Sequence, residues 1–290
     1  MTEMPAPQAK ALSQMVQMLI KAKAIKIPPD PLSNIQQKGK KEESNPIEKT
    51  KEFKPGVPKP TNLFQPASTK KIQVDAANDT SDKWIAFIDN VCKGICSAWS
   101  NWQSSAMINN VIINGPIGVL PPGGLLGMNM MSADMIKTGI DVFSGDNKEQ
   151  IYKDYVDAIV KAIAQAWSAW EKGYTVPAIP FPGGAVCSVT MPPSPNTPIP
   201  VIVGMSPGDA LMIPVTLKAT MIGFISGKGK IDQLSEALFD AFANAFNTIF
   251  TTWKTSSMIS NIMGSGGVAP PPPSPPGPVA GAMGMNGKII

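Results

Sequence analysis

The sequence predicts a mainly α-helical protein in which three modules, each a helix followed by a Pro/Gly-rich extended loop, share one core with a few short strands. Three segments with apolar residues at helical spacing predict the helices. Each segment ends in a tryptophan and runs into a Gly/Pro-rich stretch that closes on Gly-Met followed by Asn or Ser. The tryptophans are Trp102, Trp170 and Trp253, and the closing signals begin at Gly127, Gly204 and Gly284. Self-similarity of this kind is typical of an architecture built by repetition.

The N-terminal third of the chain is predicted to be disordered apart from one helix. Residues 1–29 carry an isolated amphipathic helix, whose apolar face includes Met15 and Leu19 and which two prolines end. Residues 30–79 are rich in lysine, glutamate and proline and have little apolar surface to bury, which predicts a solvated linker. An isolated helix gains stability by packing, so we expect this one to pack either on its own core or on a partner.

The folded region is predicted to span residues 80–290, with modules at about 81–131, 146–206 and 230–290. A second aromatic residue precedes each anchoring tryptophan by three positions, which places both on one helix face. Such a stripe is typical of a core, because a buried indole removes a large apolar area from water; the alternative is an aromatic surface at a subunit interface. The resulting candidates for packing or interaction are Trp99, Trp102, Trp167, Trp170, Phe250 and Trp253.

The segments after the first and third anchors agree closely. Both have the pattern Trp-x4-Met-Ile-x-Asn, which adds Met107 and Met258 to the candidates for packing or interaction. The second module has a proline- and glycine-rich run after Val176 instead, so it is the divergent copy.

The Pro/Gly-rich stretches follow at 115–124, 191–200 and 270–278. Proline supplies no N–H, so these stretches are predicted to be extended or tightly turned and not to form central strands. They contain apolar residues, so we expect them to pack against the helices or a neighbouring copy. Dense β-branched residues predict short strands near 185–189 and 200–203.

The composition argues against catalysis. All 25 basic residues are lysine, and the sequence contains neither arginine nor histidine. A Ser-His-Asp triad, a Cys-His pair, a histidine-ligated zinc and an arginine finger are therefore excluded. The sequence also lacks a phosphate-binding loop and a dinucleotide-binding pattern. It predicts no catalytic residue, no cofactor and no metal site.

Two residue groups still deserve a chemical interpretation. Cys92 and Cys96 lie one helical turn apart, which predicts buried reduced thiols, with a metal site or a disulfide as the alternatives. Asp154 and Asp157 are predicted on the polar face of a helix, and a carboxylate enzyme would need them in a deep pocket. We expect no secretory signal and no transmembrane helix, since no sufficiently long apolar run occurs.

The Trp-x4-Met-Ile-x-Asn segments, the Pro/Gly runs and the terminal Gly-Met-Asn-Gly-Lys-Ile-Ile resemble the style of structural proteins in tailed-bacteriophage virions and related contractile injection particles. The resemblance implies a ring or baseplate-like component with repeated contacts, in a virion or particle that assembles in the cytoplasm. A single module cannot bury its apolar helix face alone, which also favours protein partners and a homo-oligomer.

Two other functions stay open at this point. A membrane-active or secreted effector could use the amphipathic, tryptophan-containing helices on lipid, although no aromatic residue anchors the N-terminal helix. An uncharacterised enzyme could use carboxylates or a lysine. The lysine-rich linker lacks the interleaved aromatic residues of a single-strand nucleic-acid binder, so nucleic acid is not an expected partner.

Overall fold

The described part of the chain is mostly helical, as predicted, and its helices surround one hydrophobic core. Short antiparallel strands follow the three long helices. The structure is a computed structural model that describes residues 6–23, 67–114, 117–140, 150–181, 195–227, 231, 233–265 and 283–290.

The N-terminal helix α1 spans Ala9–Ala22 and packs on the chain's own core. Leu12, Val16 and Ile20 follow one another at helical spacing and are at most 2% exposed. This apolar face lies against two longer helices, at Ala67–Ser105 and Gln233–Ser256. Of the two packing alternatives for this helix, the structure therefore shows the one within the chain.

Helix α2 spans Ala67–Ser105 and begins inside the range predicted as a linker. The prediction placed its start near residue 80, because the apolar stripe begins only at Trp84. After Pro66 the sequence contains no proline until Pro116, so nothing in its backbone chemistry stops the helix from extending N-terminally. The rest of the predicted linker lies outside the described residues.

Two further long helices complete the core. Helix α4 spans Gln150–Gly173 and helix α7 spans Gln233–Ser256. Shorter helices connect them: α3 at Ala133–Thr138, α5 at Asp209–Met212 and α6 at Pro214–Ile225, with a 3₁₀ turn at Val201–Val203. Helix α6 packs against both α4 and α7, and α3 lies against α2 and α4.

The strands form three small sheets. In chain order they are β1 Met107–Ile108, β2 Val111–Asn114, β3 Ile117–Leu120, β4 Leu125–Leu126, β5 Val176–Pro180, β6 Ile199–Pro200, β7 Met258–Ser260, β8 Met263–Ser265, β9 Met283–Met285 and β10 Lys288–Ile289. The largest sheet has the order β5-β3-β2-β9-β8, the second has the order β10-β7-β6, and β1 pairs with β4. Every one of these pairings is antiparallel.

One expectation about the Pro/Gly-rich stretches is wrong. Strand β3 lies inside the stretch 115–124 and is a central strand, paired with both β2 and β5. The prolines at 116, 121 and 122 flank this strand and do not interrupt it, so its ladder hydrogen bonds remain available. Strand β5 does contain prolines and lies at the sheet edge, where a missing N–H is tolerated.

The strands predicted near 185–189 lie outside the described residues. Near 200–203 the structure has the end of β6 and then the 3₁₀ turn. Among the described helices, none is both long and apolar enough to cross a lipid bilayer.

Candidate interaction surface

The predicted aromatic candidates meet in one cluster at the centre of the core. The centroids of Trp99 and Trp167 are 4.7 Å apart, those of Trp102 and Trp167 are 4.8 Å apart, and most pairs in the cluster are steeply inclined. Helices α2, α4 and α7 each contribute two members, and none of them is more than 4% exposed. The cluster therefore stabilises the fold, and the alternative of an exposed aromatic surface is wrong for these side chains: Trp99, Trp102, Trp167, Trp170, Phe250 and Trp253.

Three indole N–H groups in this cluster have no hydrogen-bond acceptor among the described residues: those of Trp99, Trp167 and Trp170. An unsatisfied buried donor is costly in an aliphatic core. Here each of the three rings has aromatic neighbours within 6 Å. The negatively charged face of a neighbouring ring can receive an N–H, so the aromatic surroundings reduce this cost.

A carboxylate closes the edge of the cluster. Glu171 of α4 accepts hydrogen bonds from the indole Nε1 of Trp102 at 2.8 Å and from the amide of Gly127 at 2.7 Å. A Cβ atom at Gly127 would lie 1.8 Å from the same indole nitrogen, so only glycine fits there. The first closing signal is thus held directly against the first anchoring tryptophan.

The second closing signal is also fixed by close packing at its glycine, but against Tyr174 and not against a tryptophan. A Cβ atom at Gly204 would lie 2.3 Å from the ring of Tyr174, whose hydroxyl donates to the carbonyl of Val201 at 2.6 Å. Ser206 donates to the carbonyl of Trp170 at 2.8 Å. Burial, followed by the charge of Asp209, raises the pKa of Tyr174. The phenol is therefore a neutral structural group.

The remaining sequence candidates are half-buried. Met15 and Leu19 lie at the border of the core face of α1. Met107 pairs with Leu126 across β1 and β4, and Met258 pairs with Pro200 across β7 and β6. These four side chains border the core and do not gather at one place.

An exposed apolar surface lies elsewhere, on the five-stranded sheet. Along β2 and β3 the side chains alternate between buried and exposed, as a sheet with one solvent face requires. Ile112 is 50% exposed, Ile117 is 47% exposed and Val119 is 37% exposed. Ile112 and Val119 are direct cross-strand partners. We call the surface formed by Ile112, Ile117 and Val119 the apolar sheet face.

The sequence around the apolar sheet face is free of charge. No lysine, aspartate or glutamate occurs in residues 94–133, 173–208 or 255–287, and these three ranges contain all strands of the five-stranded sheet. Among the described strands, only β10 carries a charged residue, Lys288, and it belongs to the three-stranded sheet. The tryptophan stripes do not point to the apolar sheet face, whereas the distribution of charged positions along the chain does.

The cysteines and acidic residues form no reactive site in the described part of the chain. Cys92 and Cys96 are buried free thiols, as predicted, while Cys187 lies outside the described residues. Burial raises the pKa of Cys92 and raises that of Cys96 to about 12, so neither is a thiolate near neutral pH. The described residues contain no cluster of three or more potential metal ligands of the Cys, Asp or Glu type.

Asp157 forms ion pairs with lysines of two helices. Its carboxylate contacts Nζ of Lys137 on α3 at 2.6 Å and Nζ of Lys161 on α4 at 3.4 Å. Burial tends to raise the pKa of Asp157, but the two lysines outweigh that effect and lower it. A cleft of about 280 Å³ lies nearby, and it is lined by residues such as Gln165, Ser168 and Lys172 and not by Asp157.

Comparison with protein-family models, curated proteins and solved structures finds no match to the chain.

Proposed function

We propose that the chain is a non-enzymatic structural protein, a component of a phage-like particle or another multi-subunit assembly, and that it contacts a neighbouring subunit through the apolar sheet face. The observation that carries this proposal is the exposure of Ile112, Ile117 and Val119 within charge-free sequence. Contiguous exposed apolar residues are typical of surfaces that other proteins cover.

The chemistry of this face favours a protein partner. Nucleic acid requires cations, and the strands of the five-stranded sheet contain no lysine. A lipid surface is best anchored by tryptophan or tyrosine at its border, whereas the exposed residues of this face are aliphatic. The face lacks charge and presents aliphatic side chains on a regular surface, and both properties match the buried centre of a protein interface.

Local geometry supports the interpretation of the chain as repeated modules. After the first anchor, the amide of Ala106 donates to the carbonyl of Trp102 at 2.7 Å; after the third, Ser257 donates to Trp253 at 2.8 Å. The asparagines at the end of the two Trp-x4-Met-Ile-x-Asn patterns both have positive φ, 61° at Asn110 and 59° at Asn261. A pair of short strands brackets each asparagine.

This agreement favours a duplication of one helix-plus-strand unit. A repeated unit presents related surfaces to its neighbours, as expected of a protein that forms regular assemblies.

Native mass spectrometry of the full chain tests the proposal. We expect an oligomer, which the double substitution Ile112→Lys with Val119→Lys dissociates while the far-ultraviolet circular dichroism stays helical. The matched control is Met18→Lys, since Met18 is 67% exposed on α1, away from the sheet. A wild-type monomer with no partner, or a monomer that causes leakage of phosphatidylcholine vesicles, would overturn the proposal.

A further inference from the structure

The C-terminal segment 283–290 lies between parts of the chain that are far from it in sequence. Strand β9 is central in the five-stranded sheet, between β2 and β8. Strand β10 pairs with β7, and Gly287 forms a bridge with Ile108. We call β2, β7 and β8 together with Ile108 the acceptor site for this segment.

Backbone hydrogen bonds join the segment to the acceptor site at several points. Ile108 and Gly287 exchange two hydrogen bonds, at 2.8 and 3.0 Å, and Met258 and Ile290 exchange two more, at 2.7 and 2.9 Å. The side chain of Asn109 accepts a further one from the amide of Asn286 at 3.1 Å. The segment is thus bound as an added strand is bound in peptide recognition by β-augmentation.

The fit of the segment is specific to its sequence. A Cβ atom at Gly284 would lie 2.6 Å from the side chain of Ile262, and one at Gly287 would lie 2.4 Å from it. Ile289, two residues after Gly287, is only 4% exposed. The acceptor site therefore fits Gly-Met-Asn-Gly-Lys-Ile, a sequence that every copy of this chain carries.

The connection between the segment and its neighbouring strand is much longer than the geometry needs. Ser265 at the end of β8 is the direct partner of Met283 at the start of β9. Two antiparallel strands in such a register can be joined by two residues, yet residues 266–282 intervene, without charge and with a run of proline at 270–273. Extended, such a length of chain reaches on the order of 50 Å.

We propose that residues 283–290 of one copy occupy the acceptor site of a second copy, so that strand exchange links neighbouring subunits. The exchanged contacts are identical to those within one chain, so exchange sacrifices no pairing. Whether the segment binds within its own chain or to a second copy then depends on the length of the connection and on the local concentration of acceptor sites. The number of residues in the connection is sufficient for exchange with an adjacent copy, and an assembly raises the local concentration of acceptor sites. This inference rests on the proposed assembly function.

Cysteine cross-linking between two different full-length variants tests the exchange. Met263 and Met285 are direct partners across β8 and β9, and the Cα separation of such a pair allows a disulfide. One variant carries Met263→Cys, and the other carries Met285→Cys with an affinity tag of different mass. Both also carry Cys187→Ser, and they are mixed by co-expression.

After mild oxidation we expect a disulfide-linked heterodimer on a non-reducing gel. The matched control mixture pairs Met263→Cys with Met128→Cys, which is 63% exposed and outside the acceptor site, and it should give no such band. A mixture of the first kind that stays unlinked, while a single chain with both cysteines forms its disulfide internally, would overturn strand exchange.

A second variant keeps the test independent of the cysteines. Replacing residues 266–282 by Asn-Gly makes a short hairpin that can close only within one chain. We expect a helical protein whose oligomer is lost or smaller in native mass spectrometry. An unchanged oligomer would overturn strand exchange and leave the proposed assembly function standing, whereas a monomeric wild type would overturn both.

Discussion

The carboxylate of Glu171 bridges the indole of Trp102 and the backbone of Gly127, with hydrogen bonds of 2.8 and 2.7 Å. Helix α4, helix α2 and the loop after β4 therefore meet at one side chain. Since the indole itself is fully buried, this carboxylate satisfies a donor that would otherwise be left unpaired at the edge of the core.

Replacing Glu171 with glutamine should destabilise the protein. The amide can accept at one oxygen only, and its NH₂ group would face a donor, so we expect the free energy of unfolding to fall by about 1–3 kcal/mol. Urea unfolding followed by circular dichroism measures the change. The matched control is Glu236→Gln, an exposed position on α7, where a change within about 0.5 kcal/mol is expected. Equal effects at both positions would contradict the bridging role.

Substitution by alanine should destabilise the protein at Gly127 and stabilise it at Gly223. A Cβ atom at Gly127 would lie 1.8 Å from Trp102 Nε1, whereas one at Gly223 meets nothing within 4 Å. We expect Gly127→Ala to lower the melting temperature by overpacking, at a cost of about 1–3 kcal/mol. Gly223→Ala, inside α6, should raise stability by about 0.5–1 kcal/mol. Thermal unfolding checks both signs, and a tolerated Gly127→Ala would show that the indole can move.

Helix α1 should contribute to the stability of the whole fold. Val16 is fully buried against the core, while Met18 on the same helix is 67% exposed. We expect Val16→Ala to lower the free energy of unfolding by about 1–3 kcal/mol. Met18→Ala should change it by less than about 0.5 kcal/mol. Chemical denaturation of the two variants provides the comparison, and indistinguishable midpoints would mean that α1 detaches before the rest unfolds.

The ion pairs of Asp157 predict a loss of stability in acid. Because its pKa is lowered in the folded state, its contribution is fully present above the unfolded value of about 3.9 and is lost as the pH falls from there through the folded pKa. Lys137→Met removes the nearer lysine and should flatten this dependence below about pH 4. Urea midpoints against pH measure it, with Lys172→Met as the control, which should keep the wild-type slope.

The helical part of the fold can be predicted from the sequence because its buried residues recur at helical spacing. The residues at helical spacing on α2 from Trp84 to Trp102 are all buried, and the same holds for those on α4 from Tyr155 to Trp170. Residues at this spacing share one face whatever the rest of the chain does. The start of α2 was harder to predict, since a polar helix end has no periodic signal.

The five-stranded sheet is harder to predict from the sequence because its strands pair with partners far away along the chain. Strand β3 has only four residues, between Pro116 and Pro121, and its register depends on β2 and β5, which lie far apart in the chain. Nothing local identifies Ile112 as exposed and Val111 as buried. Likewise, the partner of Trp102 is a glutamate on another helix, which no spacing rule connects to it.

The central aromatic cluster has a kinetic consequence. Trp99, Trp167 and Trp253 come from three helices far apart in the chain, yet their rings are in mutual contact. Bringing such distant residues together requires loop closure before the contacts can compensate for the lost entropy, and chains dominated by distant contacts fold slowly. The burial of these indoles should therefore be a late event in folding, and partial chains that lack one of the three helices should remain without a fixed tertiary structure.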